Sequence, residues 1–183
     1  MIIGMSFVVG LLVWTLLEYL IHRFVFHERA LGKKLPVEHL KHHAEVDYFA
    51  PFRLKLSMAA VVVGPLFVVG FFAPVFAWTG IGIISGWLAY EVLHWRIHVA
   101  APIGRYGRWA RRHHLAHHFG NSTKNHGVSS PIWDWVFGTL VVPATVHVPK
   151  KHVAKFPWLL DPSSSTPAVR PAWTSDYSVS GAQ

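Results

Sequence analysis

Fourteen of the 183 residues are histidine, and eleven of these fall in two windows, 22–43 and 94–118. Each window holds a spaced pair followed by a His-x-x-His-His group. The first contains His22 and His27, then His39, His42 and His43; the second contains His94 and His98, then His114, His117 and His118. Neutral imidazole is a ligand for zinc, copper, iron and nickel. The chain has no cysteine, which removes thiolate sites, iron–sulfur clusters and disulfides. A tetrahedral ion takes four ligands and an octahedral ion six, so these ten imidazoles suit two ions better than one. A metal-sequestering or tag-like tract is the plainer alternative, but it does not explain why the same arrangement occurs twice, each time after an apolar segment. His113, His126, His147 and His152 fall outside the pattern and are expected not to be ligands. Among these, His113 stands beside His114, and His126 is placed to support a ligand or face a substrate.

Helical spacing says how these side chains must be positioned. Residues three and four apart share a face, so each His-x-x-His-His group is expected to point one way. His94 and His98 have the i,i+4 spacing also used by zinc metalloproteases. His22 and His27 are five apart, about 140° on an ideal α-helix. They share a face only if the helix loosens there; otherwise they reach different metals, or the helix ends between them. Glu18 lies four residues before His22 and Glu91 three before His94. Each is expected to accept a hydrogen bond from a ligating imidazole and fix its tautomer, the alternative being a carboxylate reaching the membrane interface.

The elements that carry these groups are apolar. Ile2–Ile21 is a run of membrane length whose one charge is Glu18. Its start lacks a basic segment and a small-residue cleavage site, so a cleaved signal peptide is not expected. Leu56–Phe72 is a second span, interrupted by Gly64 and Pro65. Phe72–Gly80 reads as a short uncharged turn, and Ile81–Trp95 as the return, long enough to span if its helix starts near Pro74. Between the first two spans, Pro36 suits the first turn of a short helix carrying the first triplet, with Lys41 and Glu45 paired i,i+4. Arg105–His118 reads as a basic helix whose Arg108, Arg111 and Arg112 rest on anionic headgroups. Ser130 and Pro131 suit the cap and first turn of a helix over Pro131–Phe137, with Trp133 and Trp135 at an interface or in a core. Residues 1–155 form the expected domain; residues 156–183, rich in Ser and Pro, read as a loose tail.

Charge supports this division. The chain is 52% hydrophobic yet carries a net charge of +8. All seventeen Lys and Arg lie in Arg23–Lys55 or after Trp95, and none lies in the apolar runs. That distribution fits basic loops on one side of a membrane rather than a nucleic-acid surface. The expected fold is all-α: a multi-pass membrane protein of about three transmembrane helices under a cytosolic helical cap. Every histidine then falls at or beyond the cytoplasmic ends, which disfavours a transporter with ligands near the bilayer midplane. A bis-histidine haem carrier does not need the triplets, and a non-enzymatic metal-binding protein remains as an alternative.

The four histidine groups in this order, with GVSSPIWDWVFGT from Gly127 to Thr139, resemble the membrane fatty acid hydroxylase / sterol desaturase superfamily. The likeness covers about Trp14 to Pro143 and is closest to the fatty acid 2-hydroxylase branch. Bacterial carotenoid hydroxylases typically have a four-residue gap in the third pair, where His94 and His98 leave three. The resemblance implies that the ten histidines hold two iron ions, with zinc an alternative in purified protein, at a non-haem diiron lipid hydroxylase site. It implies dioxygen as co-substrate and a lipid substrate, a fatty acyl chain, from the bilayer. Carotenoid hydroxylation or sterol or lipid desaturation would use the same ligands. Many such hydroxylases carry a fused cytochrome b5 domain. This sequence shows no such segment, nor a dinucleotide or flavin motif, so electrons are expected from a separate ferredoxin, or a cytochrome b5 with its reductase. The host membrane would be a bacterial inner membrane or endoplasmic reticulum. His126 stands where relatives often have an aromatic residue.

Overall fold

A computed structural model describes residues 1–180 and is mostly helical. Helix α1 covers Ile2–Leu20 and continues without a break into a π-helical stretch, Ile21–His27. Helix α2 covers Val37–Ala44, α3 Phe52–Gly70, α4 Pro74–Val99 and α5 Gly104–Phe119. A short α6, Ile132–Val136, follows, then strand β1, Val146–Pro149, the single turn α7, Lys150–Val153, and strand β2, Tyr177–Ser180. Among the described residues, three helices are long and apolar enough to cross a membrane: Ile2–His27, Phe52–Gly70 and Pro74–Val99. Their outward faces expose residues such as Leu12, Val61, Val68 and Val92, as a surface in lipid should.

α1 and α4 pack closely because glycine faces glycine. A Cβ on Gly10 would overlap the backbone of α4 at Thr79, and a Cβ on Gly82 the backbone of α1 at Phe7. This contact sets the mutual register of the two helices whose far ends carry His22, His27, His94 and His98. The α3–α4 turn is shorter than expected. Pro74 starts α4 directly, so the segment read as a turn to Gly80 is already helix, and α4 gains the length to span. Pro65 leaves α3 continuous.

Above the helix ends, α5 packs with the C-terminal segments in an apolar core that includes Ile97, Leu115, Val128, Val148, Phe156, Leu159 and Tyr177. The segment expected as a loose tail is part of this core. Phe156 and Leu159 are fully buried, and β2 pairs in parallel with β1, Val146 opposite Tyr177 and Val148 opposite Val179. Its apolar residues are interrupted by Ser and Pro, so periodicity gave no signal, yet Phe156, Trp158, Leu159 and Tyr177 lie in the core and Leu160, Val169, Trp173 and Val179 pack against it. Residues 181–183 of the same tail lie outside the described residues. The small parallel sheet is likewise an addition to the all-α expectation.

Arg108, Arg111 and Arg112 of α5, expected on headgroups, are engaged by protein groups. Arg111 is buried and donates to the carbonyls of Arg96, Ile97 and Ala100, covering the end of α4. Arg108 and Arg112 both pair with the buried Asp176. On α2, Lys41 pairs with Glu38 at 2.9 Å rather than with Glu45, because Ala44 ends the helix and Glu45 turns into extended backbone.

Candidate metal centre

The end of α1 shows how local sequence makes the site. His22 and His27 come onto one side of the chain because Ile21–His27 is π-helical, with the Glu28 amide donating to the Arg23 carbonyl at 2.9 Å. The i→i+5 pattern widens the turn so that residues five apart face together. Their rings lie 5.1 Å apart, centroid to centroid.

All ten histidines converge, in two groups of five. Centre 1 comprises His22, His27, His39, His43 and His117; centre 2 comprises His42, His94, His98, His114 and His118. Within each, the five ligand atoms lie within 4.8 Å of one another. The triplets are therefore divided. The outer pair, His39 and His43 or His114 and His118, goes to one centre and the middle residue, His42 or His117, to the other. A triplet shares a broad face as expected, but that face straddles two centres. The His43 and His118 rings stack between them at 4.2 Å.

The contacts in each centre are those of ligands rather than of hydrogen-bond partners. His39 Nε2 lies 2.9 Å from His27 Nε2 and 3.1 Å from both His22 and His43 Nε2. His114 Nε2 lies 3.0 Å from His98 Nε2 and 3.1 Å from His94 and His118 Nε2. One ring nitrogen cannot hydrogen-bond to three others at once. Moreover, several tautomers are fixed from outside. His22 Nδ1 donates to the His126 carbonyl at 2.5 Å, His117 Nδ1 to the Lys124 carbonyl at 2.7 Å and His42 Nδ1 to the Tyr48 carbonyl at 2.7 Å. Their Nε2 atoms therefore present lone pairs inward, and His42 Nε2 is buried with no hydrogen-bond partner.

A cation at each centre would resolve this. Nitrogens about 2.1 Å from an ion and at right angles to one another are about 3.0 Å apart, against about 3.4 Å for tetrahedral ligands. The observed 2.9–3.1 Å separations match the right-angled case and five ligands rather than four. Both sites thus fit a five- or six-coordinate ion. Burial also holds the imidazoles neutral, as ligands must be. It pushes His42 down to about 4 and His43 to about 3, and depresses His39, His114, His117 and His118 well below the ordinary histidine range.

Neither carboxylate holds an imidazole. Glu18 accepts from the Val128 amide, from the Ser129 amide at 2.8 Å and from the Ser129 hydroxyl. Glu91 accepts from the Trp87 indole at 3.0 Å and from Lys55. On a helix, residues three or four before a ligand share its face but need not reach its outer nitrogen, and here nearer donors claim both acids. His126, outside the ligand set, contributes its carbonyl to His22. His113 is turned away to Asp134 at 3.1 Å.

Sequence reasoning missed Asp134, which is fully buried. It accepts from the His126 and Gly127 amides, both at 2.8 Å, and from the Thr139 hydroxyl at 2.7 Å. The one available signal is that Asp134 is the only charged residue between Lys124 and Lys150, inside an apolar run with two tryptophans. An isolated acid there needs buried donors.

A cavity between α1, α3 and α4 leads to this metal face. Trp14, Met58, Val62 and Ile84 wall it, and His22, His39, His42 and His94 border its inner end.

Comparison with known proteins is consistent with this architecture. The chain is 36% identical over 159 residues to the fatty acid 2-hydroxylase of Rattus norvegicus, covering 74% of this chain and 39% of that protein. It is 32% identical over 146 residues to the dihydroceramide fatty acyl 2-hydroxylase FAH2 of Arabidopsis thaliana, covering 75% and 61%. It therefore spans less than two thirds of the length of either. A solved structure described as full-length scs7p, with only the hydroxylase domain visible, superposes with a TM-score of 0.63 at 28% identity, covering 77% of this chain and 57% of that one. The family model for fatty acid hydroxylase matches residues 7–139, which contain all ten histidines, the cavity and Asp134, and the chain accordingly belongs to the fatty acid hydroxylase family.

Proposed function

We propose that this chain hydroxylates an unactivated C–H bond of a lipid acyl chain at a dimetal centre held by its ten converging histidines. The observation that carries this reading is the meeting of an apolar cavity with two five-imidazole centres at one end of three apolar helices. The overall change would be the insertion of one oxygen atom into C–H, with dioxygen, two electrons and two protons giving the alcohol and water. Two redox-active ions, iron by analogy with the resemblance, would supply dioxygen activation.

The chain's own residues do the rest. Centre 1 would be held by His22, His27, His39, His43 and His117, and centre 2 by His42, His94, His98, His114 and His118. The apolar walls at Trp14, Met58, Val62 and Ile84 bind and align the acyl chain and exclude water. Opening the cavity among the spans lets the substrate enter from the bilayer. The Lys and Arg distribution supports a cytoplasmic position for the histidine face, where a separate soluble or membrane-bound electron donor, a ferredoxin or a cytochrome b5 with its reductase, could reach it.

The test is lipid profiling of cells that express the chain, against His42→Ala and His117→Ala, which remove one ligand from each centre. A hydroxylated lipid absent from both variants is the expected result. A new double bond in its place would make the protein a desaturase, and an unchanged product in either variant would sink the ligand assignment.

A further inference from the structure

The two centres differ in what stands behind their imidazoles. In centre 1, two of the five rings donate Nδ1–H to carbonyls of one short segment, His117 to Lys124 and His22 to His126. That segment is gripped by two buried carboxylates. Asp134 takes the His126 and Gly127 amides, and Glu18, from α1, takes the Val128 and Ser129 amides and the Ser129 hydroxyl. Asn125, with a left-handed φ of 57°, adds a third hold, its side chain exchanging hydrogen bonds with both backbone groups of Val141 at 2.7 and 2.9 Å. Four successive amides, 126 to 129, thus point at carboxylates, which fixes the peptide planes and aims the His126 carbonyl at His22. In centre 2, among the described residues, His42 alone donates to a carbonyl, that of Tyr48, which lies outside this segment.

We infer that Glu18 and Asp134 are positioning residues for centre 1, acting through the Lys124–Ser129 segment to orient His22 and His117, and that they set the metal affinity of centre 1 separately from centre 2. The physical basis is that a carbonyl accepting from Nδ1 fixes the tautomer and ring plane of a ligand and raises its basicity. Glu18 would thus act on a ligand at one remove, through backbone, while its own helix carries that ligand four residues on. This inference rests on the metal reading above.

Cobalt(II) alone, titrated against the detergent-solubilised full chain with a competing chelator, tests both levels. Two equivalents bound by the parent are expected, and none would overturn the metal reading itself. His98→Ala then leaves centre 1 and His39→Ala leaves centre 2. Glu18→Gln placed in the His98→Ala chain should weaken cobalt(II) about 10–100-fold and shift its visible absorption. The same change in the His39→Ala chain should leave affinity within about threefold. Asp134→Asn should follow the same pattern. Equal weakening in both backgrounds would show a general structural role and overturn the inference, as would no weakening of centre 1. Should Glu18→Gln not fold, Ser129→Ala carries the test, because it removes one donor to Glu18 and keeps two; a smaller loss confined to centre 1 is expected, and any other pattern overturns the inference.

Discussion

Centre 1 and centre 2 have the same ligands in number and type but are built from different parts of the molecule. Four of the five residues of centre 1 precede α3, on the π-helical end of α1 and on α2, and His117 completes it. Centre 2 draws four of its five from α4 and α5, and His42 completes it. Each half of the chain thus lends its middle triplet histidine to the other. Centre 2 is the more enclosed, with four of its ligands buried against two in centre 1. The more open centre is the one whose imidazoles are braced by a carboxylate-gripped segment. Ligands that neighbouring helices already wedge in place need less outside support than ligands at a helix end.

The largest effects should come from breaking the exchange between halves. His117→Ala is expected to empty centre 1 and His42→Ala centre 2, each lowering bound metal from two equivalents to one and hydroxylated product by at least about 10³-fold, since in the proposed reaction the two ions would act as one unit. Metal analysis of purified protein beside product measurement checks this. Loss of both ions in either variant would show that the centres are not separable.

Next is the brace itself. Asn125→Ala removes three hydrogen bonds, two part-buried ones with the Val141 backbone and a longer buried one to the His113 carbonyl at 3.5 Å, at a cost of about 1–3 kcal/mol. Because Asn125 lies between Lys124 and His126, the loss should appear in thermal unfolding and in centre 1 affinity together, with centre 2 changed little. A centre 2 that weakens as much would blur the distinction between the two sites.

Acidification should affect both centres. For His42 the folded value of about 4 lies below the ordinary 6.5, so between these values the unfolded chain binds more protons. The stability of metal-free protein should therefore be complete above about pH 6.5 and fall as pH drops toward 4. His43, pushed to about 3, extends the same trend lower. Unfolding midpoints of metal-free protein across this range check the sign. The smallest effect is expected from Asp176→Asn, which removes the charge that Arg108 and Arg112 share on the cap but leaves Arg108 on Ser175 and Arg112 on the Pro143 and Ala144 carbonyls; it should change either centre's affinity by about threefold or less, because the Arg108 side of the pair is exposed.

What sequence could reveal depended on whether a feature was local. The ten histidines stand out by type and repetition, and the three spans by length and the absence of charge. The division into two centres did not, because spacing gives only a face and a face can border two sites. The Glu18 expectation failed for a related reason. Helical spacing put the acid beside a ligand, but its partners are amides from residues 128 and 129, more than a hundred positions away. The packed C-terminal segment was hidden because the Ser- and Pro-rich run Asp161–Pro167 separates Phe156 and Leu159 from Tyr177 and breaks any continuous period.

The sequence by itself marked the type and number of the candidate ligands, the three apolar spans and the one end of those spans where the histidines gather, since composition and short-range spacing are enough to pick out each of these. Tertiary structure alone decided which five imidazoles share a centre, that His22 and His27 face together, and which groups orient them. The π-helical stretch faces α2, where His39 meets both rings. The carbonyls behind His22 and His117 come from a segment that only folding brings back to the end of α1. Hydrogen bonds between residues so far apart leave no periodic trace in the chain, and only their isolated acids, Glu18 and Asp134, mark where such bonds will be needed.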